Sequence, residues 1–243
     1  MGAARSSTAE LVGSVITLAI ETATTVVSVA IGGDDGLLGL VEVTQGRRHA
    51  ETLTPAIEFA CRHAQVPVAD IAAIGVDIGP GLFTGMRVGI ATAKAMAFAL
   101  DVPIVGMSSL DLLAHPLRHS SRVIASVIDA RKGEVFYAFF RATPGGVQRV
   151  SEPRAGTIED FNADVMARGQ DVLAVGDGAQ RYRDELGRSI EVTDLAHPSA
   201  ASLVMLTRAR VLRGDLVAGS DNSDTVQPLY LRAPDAQINW VSR

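Results

Sequence analysis

VITLAIE at residues 15–21 and VIASVID at residues 123–129 are the two stretches on which the fold turns. Each is a short apolar run rich in β-branched residues, and each ends in an acid, Glu21 in one and Asp129 in the other. Runs of this length and composition predict strands buried on both faces. The segments after the two runs are alike as well. After Glu21 come a tight turn, a second strand at 26–31 (VVSVAI), the turn cluster Gly32-Gly33-Asp34-Asp35-Gly36 and a third strand at 37–43. After Asp129 come the turn Arg131-Lys132-Gly133, a strand at 135–140, Pro144-Gly145-Gly146 and a strand at 147–150.

Each meander leads into alternating helices and strands. Leu53, Ile57, Ala60 and Ala64 recur at helical spacing within residues 50–64. A strand at 71–77, a helix at 84–100 and a short strand at 103–106 follow, and Ser108 or Ser109 can cap the next helix. In the second half a helix at 158–168, a strand at 172–175, the turn Gly176-Asp177-Gly178 and two more helices are predicted. The fold class expected is therefore α/β, two lobes built from a duplicated βββαβαβα unit. That plan resembles the actin-like ATPase superfamily (ASKHA, ribonuclease-H-like). The expected division is a disordered tail at 1–14, an N-terminal lobe at 15–118 and a C-terminal lobe at 119–243.

Composition narrows the function. The chain of 243 residues is 47% hydrophobic and 20% charged, with a net charge of -5, enough apolar material for a sizeable core. An acidic balance argues against gripping nucleic acid unaided, which needs clustered Lys and Arg. Cys61 is the only cysteine, so no internal disulfide can form, and a reducing, cytoplasmic setting fits. No apolar run of membrane-spanning length is free of charge, and no secretory signal is expected.

Two places could hold phosphate. Glu21 and Thr22 open a turn whose hydroxyls could bond a phosphate or equally close a β-turn by local backbone bonds. Gly176 and Gly178 flank a strand-to-helix turn of the kind that favours anions, though it also reads as a plain turn. The helix at 84–100 stands out differently. Gly85, Gly89, Ala93 and Ala97 make one smooth face, Met86, Ile90, Phe98 and Leu100 add apolar surface elsewhere, and Arg87 and Lys94 are its only charges. A helix apolar nearly all round must be covered nearly all round, by its own chain or by a second one.

The runs Ala19-Ile20-Glu21-Thr22, HAETL at 49–53, GPGLFTGMRVG at 79–89, Ala93-Lys94-Ala95, PIVGMSSL at 103–110, DARKGEV at 129–135 and PLYLR at 228–232 closely resemble the TsaB (YeaZ) family, over residues 15 to 235. The resemblance implies a non-catalytic partner of TsaD, required for the threonylcarbamoyladenosine modification of the adenosine beside the anticodon in tRNAs reading codons that begin with A. It implies a heterodimer with TsaD, a further partner TsaE, a homodimer when alone, and tRNA engaged only through the complex. No cofactor is intrinsic; ATP or ADP would bind, if at all, in the complex.

TsaD-like proteins carry a His-x-x-x-His metal pair in the segment that here reads SSLDLL at 108–113. Ser109 and Leu113 stand at those two positions, and leucine cannot bind a metal. No catalytic or metal residue is therefore expected. In the family the two helices after the first meander form the TsaD contact, which points here to Leu53, Ile57, Cys61, Met86, Ile90 and Lys94. The rival readings are a stand-alone ATP-binding transferase or kinase and, further off, a glycoprotease-type metallopeptidase, for which the chain lacks His-Glu-x-x-His.

Overall fold

A computed structural model describes residues 15–44, 48–214 and 223–232. The tail expected at 1–14 lies outside them. The first run forms β1 (Thr17–Glu21), antiparallel to β2 (Val26–Gly33), which pairs antiparallel with β3 (Gly36–Thr44). After α1 (His49–His63), β4 (Ala73–Asp77) lies parallel to β1, with Leu18 opposite Ile74. After α2 (Phe83–Leu100), β5 (Ile104–Met107) lies parallel to β4. The resulting order is β3-β2-β1-β4-β5. Both central strands, β1 and β4, are wholly buried, as their continuous apolar sequences demand.

The second unit repeats the order. It opens with α3 (Ser109–Ala114), whose cap is Ser108: its Oγ accepts from the Leu110 amide at 3.3 Å. Then come β6 (Val123–Arg131), β7 (Glu134–Thr143), β8 (Gly146–Arg149) and β9 (Arg154–Thr157). Next are α4 (Ile158–Arg168), β10 (Val172–Val175), α5 (Asp177–Arg181) and β11 (Ile190–Val192). The sheet runs β11-β10-β6-β7-β8, with β9 also paired to β7. Taken from its β8 end, this is the first sheet's order, and two sheets of that order are the actin-like ATPase plan. Alternation along β6 and β7 sorts the core. Val123, Ala125, Val127, Tyr137 and Phe139 cluster with Phe161 and Val165 of α4. Ile124, Ile128, Phe136 and Phe140 cluster with Leu110 and Leu113 of α3.

Two short strands, β9 (RAGT) and β11 (IEV), were not expected from the sequence. Neither has an apolar run or a full period-2 repeat; pairing with longer neighbours creates them.

The division at residue 118 needs correction. Among the described residues, the first compact unit comprises 15–44, 48–77, 84–107, 199–214 and 223–227, and the second 78–83, 108–198 and 228–232. The reason is α6 (Ala200–Leu212), which packs on β1, β2 and β4. Side chains on β2 alternate between faces, and α1 covers the face that carries Gly39 of the neighbouring strand. The other face would be bare without α6. The amide of Ala200 donates to Ser28 Oγ at 3.0 Å, and a methyl added to Gly75 would lie 2.2 Å from Thr207 Oγ1. Gly75→Ala should therefore lower stability by about 1–3 kcal/mol through overpacking. Denaturant unfolding of the purified variant checks this, and an unchanged midpoint would refute the close approach.

Candidate functional site

The turn after β1 is closed by its own carboxylate. Glu21 Oε1 accepts from the amides of Ala23 at 2.8 Å and Thr24 at 3.2 Å. Those are the donors that a phosphate would use. Glu21 is fully buried, and Asp77, at the end of the adjacent strand β4, is buried too. Burial first, and the Asp77 charge second, hold the Glu21 carboxyl well above the usual carboxylate range. Its Oε2 has no hydrogen-bond partner among the described residues.

The same turn anchors both following helices. Thr22 Oγ1 donates to the Gly85 carbonyl in the first turn of α2 at 2.8 Å. His49 Nε2, in the first turn of α1, lies 2.7 Å from the Thr24 carbonyl and donates to it. A methyl on Gly85 would stand 2.1 Å from the Thr22 carbonyl oxygen, and one on Gly89 2.3 Å from Thr22 Oγ1. The smooth face of α2 is thus spent on its own chain: it lets the helix lie against the turn.

In the second unit Asp129 Oδ1 accepts from the Arg131 amide at 2.9 Å, as Glu21 does from Ala23. Asp177 Oδ1 accepts from the Asp129 amide at 3.0 Å, and burial pushes the Asp177 carboxyl upward. Arg131 and Arg181 pair with Asp129 at 3.1 and 3.7 Å. The Gly176 amide donates to the Leu195 carbonyl at 3.0 Å, and the Gly178 amide bonds Asp177. Both glycines are needed for packing: a methyl on Gly176 would lie 2.2 Å from the Val127 carbonyl oxygen, and one on Gly178 2.8 Å from the Ile128 carbonyl carbon. The four residues expected to contact phosphate, Glu21, Thr22, Gly176 and Gly178, are all engaged within the chain.

The six residues expected at a partner interface divide unevenly. Leu53, Ile57 and Cys61 are buried on the inner side of α1, which packs on β2 and β3. Met86 and Ile90 are buried on the inner side of α2. Only Lys94 reaches the surface, half-buried. The outer faces carry other residues: Thr54, Pro55, Glu58, Phe59 and Arg62 on α1, and Arg87, Ala91, Ala95 and Phe98 on α2. Phe98 is 86% exposed and Phe59 52%, high values for phenylalanine. Assigning each helix its sheet-facing side by the 3.6-residue period would have found them.

Among the described residues no group of three or more His, Cys, Asp or Glu side chains could hold a metal ion. A cavity of about 320 Å³ lies elsewhere, at the start of β6, lined by Ser120, Arg122, Arg141 and Gln170 among others. Its arginines are held by Glu191 and Gln170.

Comparison with known proteins places this geometry in a lineage. The model of the family described as TsaD, tRNA N6-adenosine threonylcarbamoyltransferase, matches residues 37–240. A Bacillus subtilis protein named tRNA threonylcarbamoyladenosine biosynthesis protein TsaB is 26% identical over 92% of this chain and 97% of its own length. The chain belongs to the TsaB (YeaZ) family. The Escherichia coli TsaB is 29% identical over 88% of this chain and 94% of its own. The solved structure of YeaZ from Pseudomonas aeruginosa superposes with a TM-score of 0.76 at 26% identity, covering 89% of this chain and 99% of that one. Ser109 and Leu113, the two residues set against the histidine pair that the resemblance implied, are both fully buried. Leu113 packs in the apolar cluster with Phe136 and Phe140.

The raised Glu21 carboxyl has a definite consequence for stability. The folded chain holds a proton there that the unfolded chain releases near the ordinary value of 4.5, so stability falls as pH rises above that value toward the folded one. Glu21→Gln keeps an oxygen for the Ala23 and Thr24 amides and removes the titration. Melting temperatures across pH 4 to 9 should decline less steeply for the variant, and parallel curves would contradict the assignment.

Proposed function

We propose that this chain is the non-catalytic partner of a TsaD-type transferase in threonylcarbamoyladenosine modification of tRNA, and that it docks through the outer faces of α1 and α2. One observation carries the docking surface: Phe98 projects into solvent from a helix whose opposite side is already spent on the Thr22 turn. Ala91 and Ala95 lie beside it on successive turns, so a partner helix could approach closely. The names of the relatives support the pathway, and Ser109 and Leu113 in place of a histidine pair support a role without metal chemistry.

Nucleotide used by such a complex is held with its phosphates away from this chain's two closed turns, since their amides already serve Glu21, Asp177 and Leu195. TsaE as a third component, a homodimer in isolation and a cytoplasmic setting belong to the same proposal. No helix among the described residues is long and apolar enough to cross a membrane.

Size-exclusion chromatography of the chain mixed with TsaD from its own organism, followed by a transfer assay on tRNA with and without the chain, tests the reading. Phe98→Asp should weaken the complex by roughly thirtyfold or more, as for an aromatic anchor, with its melting temperature unchanged. Ile90→Asp, by contrast, should unfold the chain, because Ile90 is an interior residue. A Phe98→Asp variant that still binds TsaD at full strength would rule out this face.

A further inference from the structure

The β6–β7 hairpin turns on three consecutive residues of positive φ: Arg131 at 67°, Lys132 at 57° and Gly133 at 81°. Tight turns of this kind favour Asn-Gly, Asp-Gly or Gly-Gly, because left-handed backbone crowds the Cβ of an ordinary residue. Asparagine at position 132 would close the turn more cheaply. Instead two long basic side chains are presented to solvent.

Arg232 ties a second feature to this turn. Its Nη1 donates to the Ala130 carbonyl at 3.1 Å and to Glu134 Oε2 at 2.9 Å, one on each side of the hairpin tip. Two residues earlier, the Tyr230 ring stacks on Phe83 with centroids 5.5 Å apart and planes 30° from parallel. The Leu229 amide holds that segment to the Ile78 carbonyl at 2.8 Å, and Leu231 turns into the apolar cluster. The rings do not follow it inward: Phe83 is 46% and Tyr230 43% exposed. Among the described residues the cations grouped here, Arg131, Lys132, Arg181 and Arg232, outnumber the carboxylates Asp129, Asp177 and Glu134.

We propose that the Phe83–Tyr230 stack and the Arg131-Lys132 turn form a contact surface for unpaired nucleotides of RNA. A base stacks on the exposed rings while the adjoining phosphates lie along the cations, the combination by which single strands are held without sequence readout. The identity of the RNA as tRNA rests on the function proposed above. The net charge of -5 makes this one contact within a complex rather than an independent grip.

The test uses the full chain, alone and with TsaD of its own organism, and an anticodon stem-loop RNA of a tRNA reading codons that begin with A. Ultraviolet cross-linking should attach the RNA to the peptide containing Tyr230 or Phe83. Tyr230→Ala should weaken RNA binding by the complex roughly five- to a hundredfold, and Tyr230→Phe should restore it. Lys132→Asn, which suits the turn, should flatten the slope of log affinity against log salt by about 0.7. RNA affinity unchanged in Tyr230→Ala overturns the inference. So does unchanged RNA affinity with lost TsaD binding, which would make the rings a protein-docking site. If the wild-type chain does not join TsaD, the functional reading fails on its own, and the RNA surface then stands or falls on cross-links to the chain alone.

Discussion

The carboxylate of Glu21, turned back onto the amides of Ala23 and Thr24, is the interaction on which the first unit depends. A strand that ends at the carboxyl edge of a parallel pair leaves amide groups pointing into a crevice, and in α/β folds that crevice is where anions bind. Here the chain supplies its own acceptor, the Glu21 carboxyl oxygen. Thr22 and Thr24 are consequently fixed, and they in turn fix the starts of α2 and α1. Burying an unpaired carboxyl oxygen beside Asp77 is unfavourable for the charged form, so the chain holds a proton there.

The second unit solves the same problem with different residues. Asp177 reaches the Asp129 amide from α5, and Gly176 and Gly178 allow that helix to touch β6. Two units of common strand order thus both close, with their own side chains, the turns where the sequence allowed a phosphate. This agrees with a role in which α1 and α2 present side chains to another subunit.

The division of α2 into two sides is central to that role. Gly85 and Gly89 have no side chains because the Thr22 turn occupies their space. Met86, Ile90, Ala93 and Ala97 complete the inner side. The remaining face is one of small residues flanked by Arg87 and Lys94 and ended by Phe98, apolar in the middle and charged at the margins. That is the arrangement expected of an interface with a dry centre and a wet rim.

The sequence by itself determined the longer strands and helices, the duplication and the family, but not the short strands β9 and β11. Buried strands declare themselves by continuous apolar runs and helices by period, and GPGLFTGMRVG carries the resemblance to the TsaB family. The sequence also marked α2 as a helix apolar nearly all round. Only the tertiary structure decided which side faces inward, and it placed Leu53, Ile57, Cys61, Met86 and Ile90 in the interior, because periodicity finds an apolar stripe without naming what covers it. It likewise decided that α6 returns to the first unit, since nothing local in residues 200–212 says that the first sheet lacks a cover on one face. The closed turns were ambiguous in sequence for two reasons: the local bonds from Ala23 and Thr24 to Glu21 use the same amides a phosphate could use, and the bond from the Asp129 amide to Asp177 spans 48 residues and depends on strand pairing that no spacing encodes.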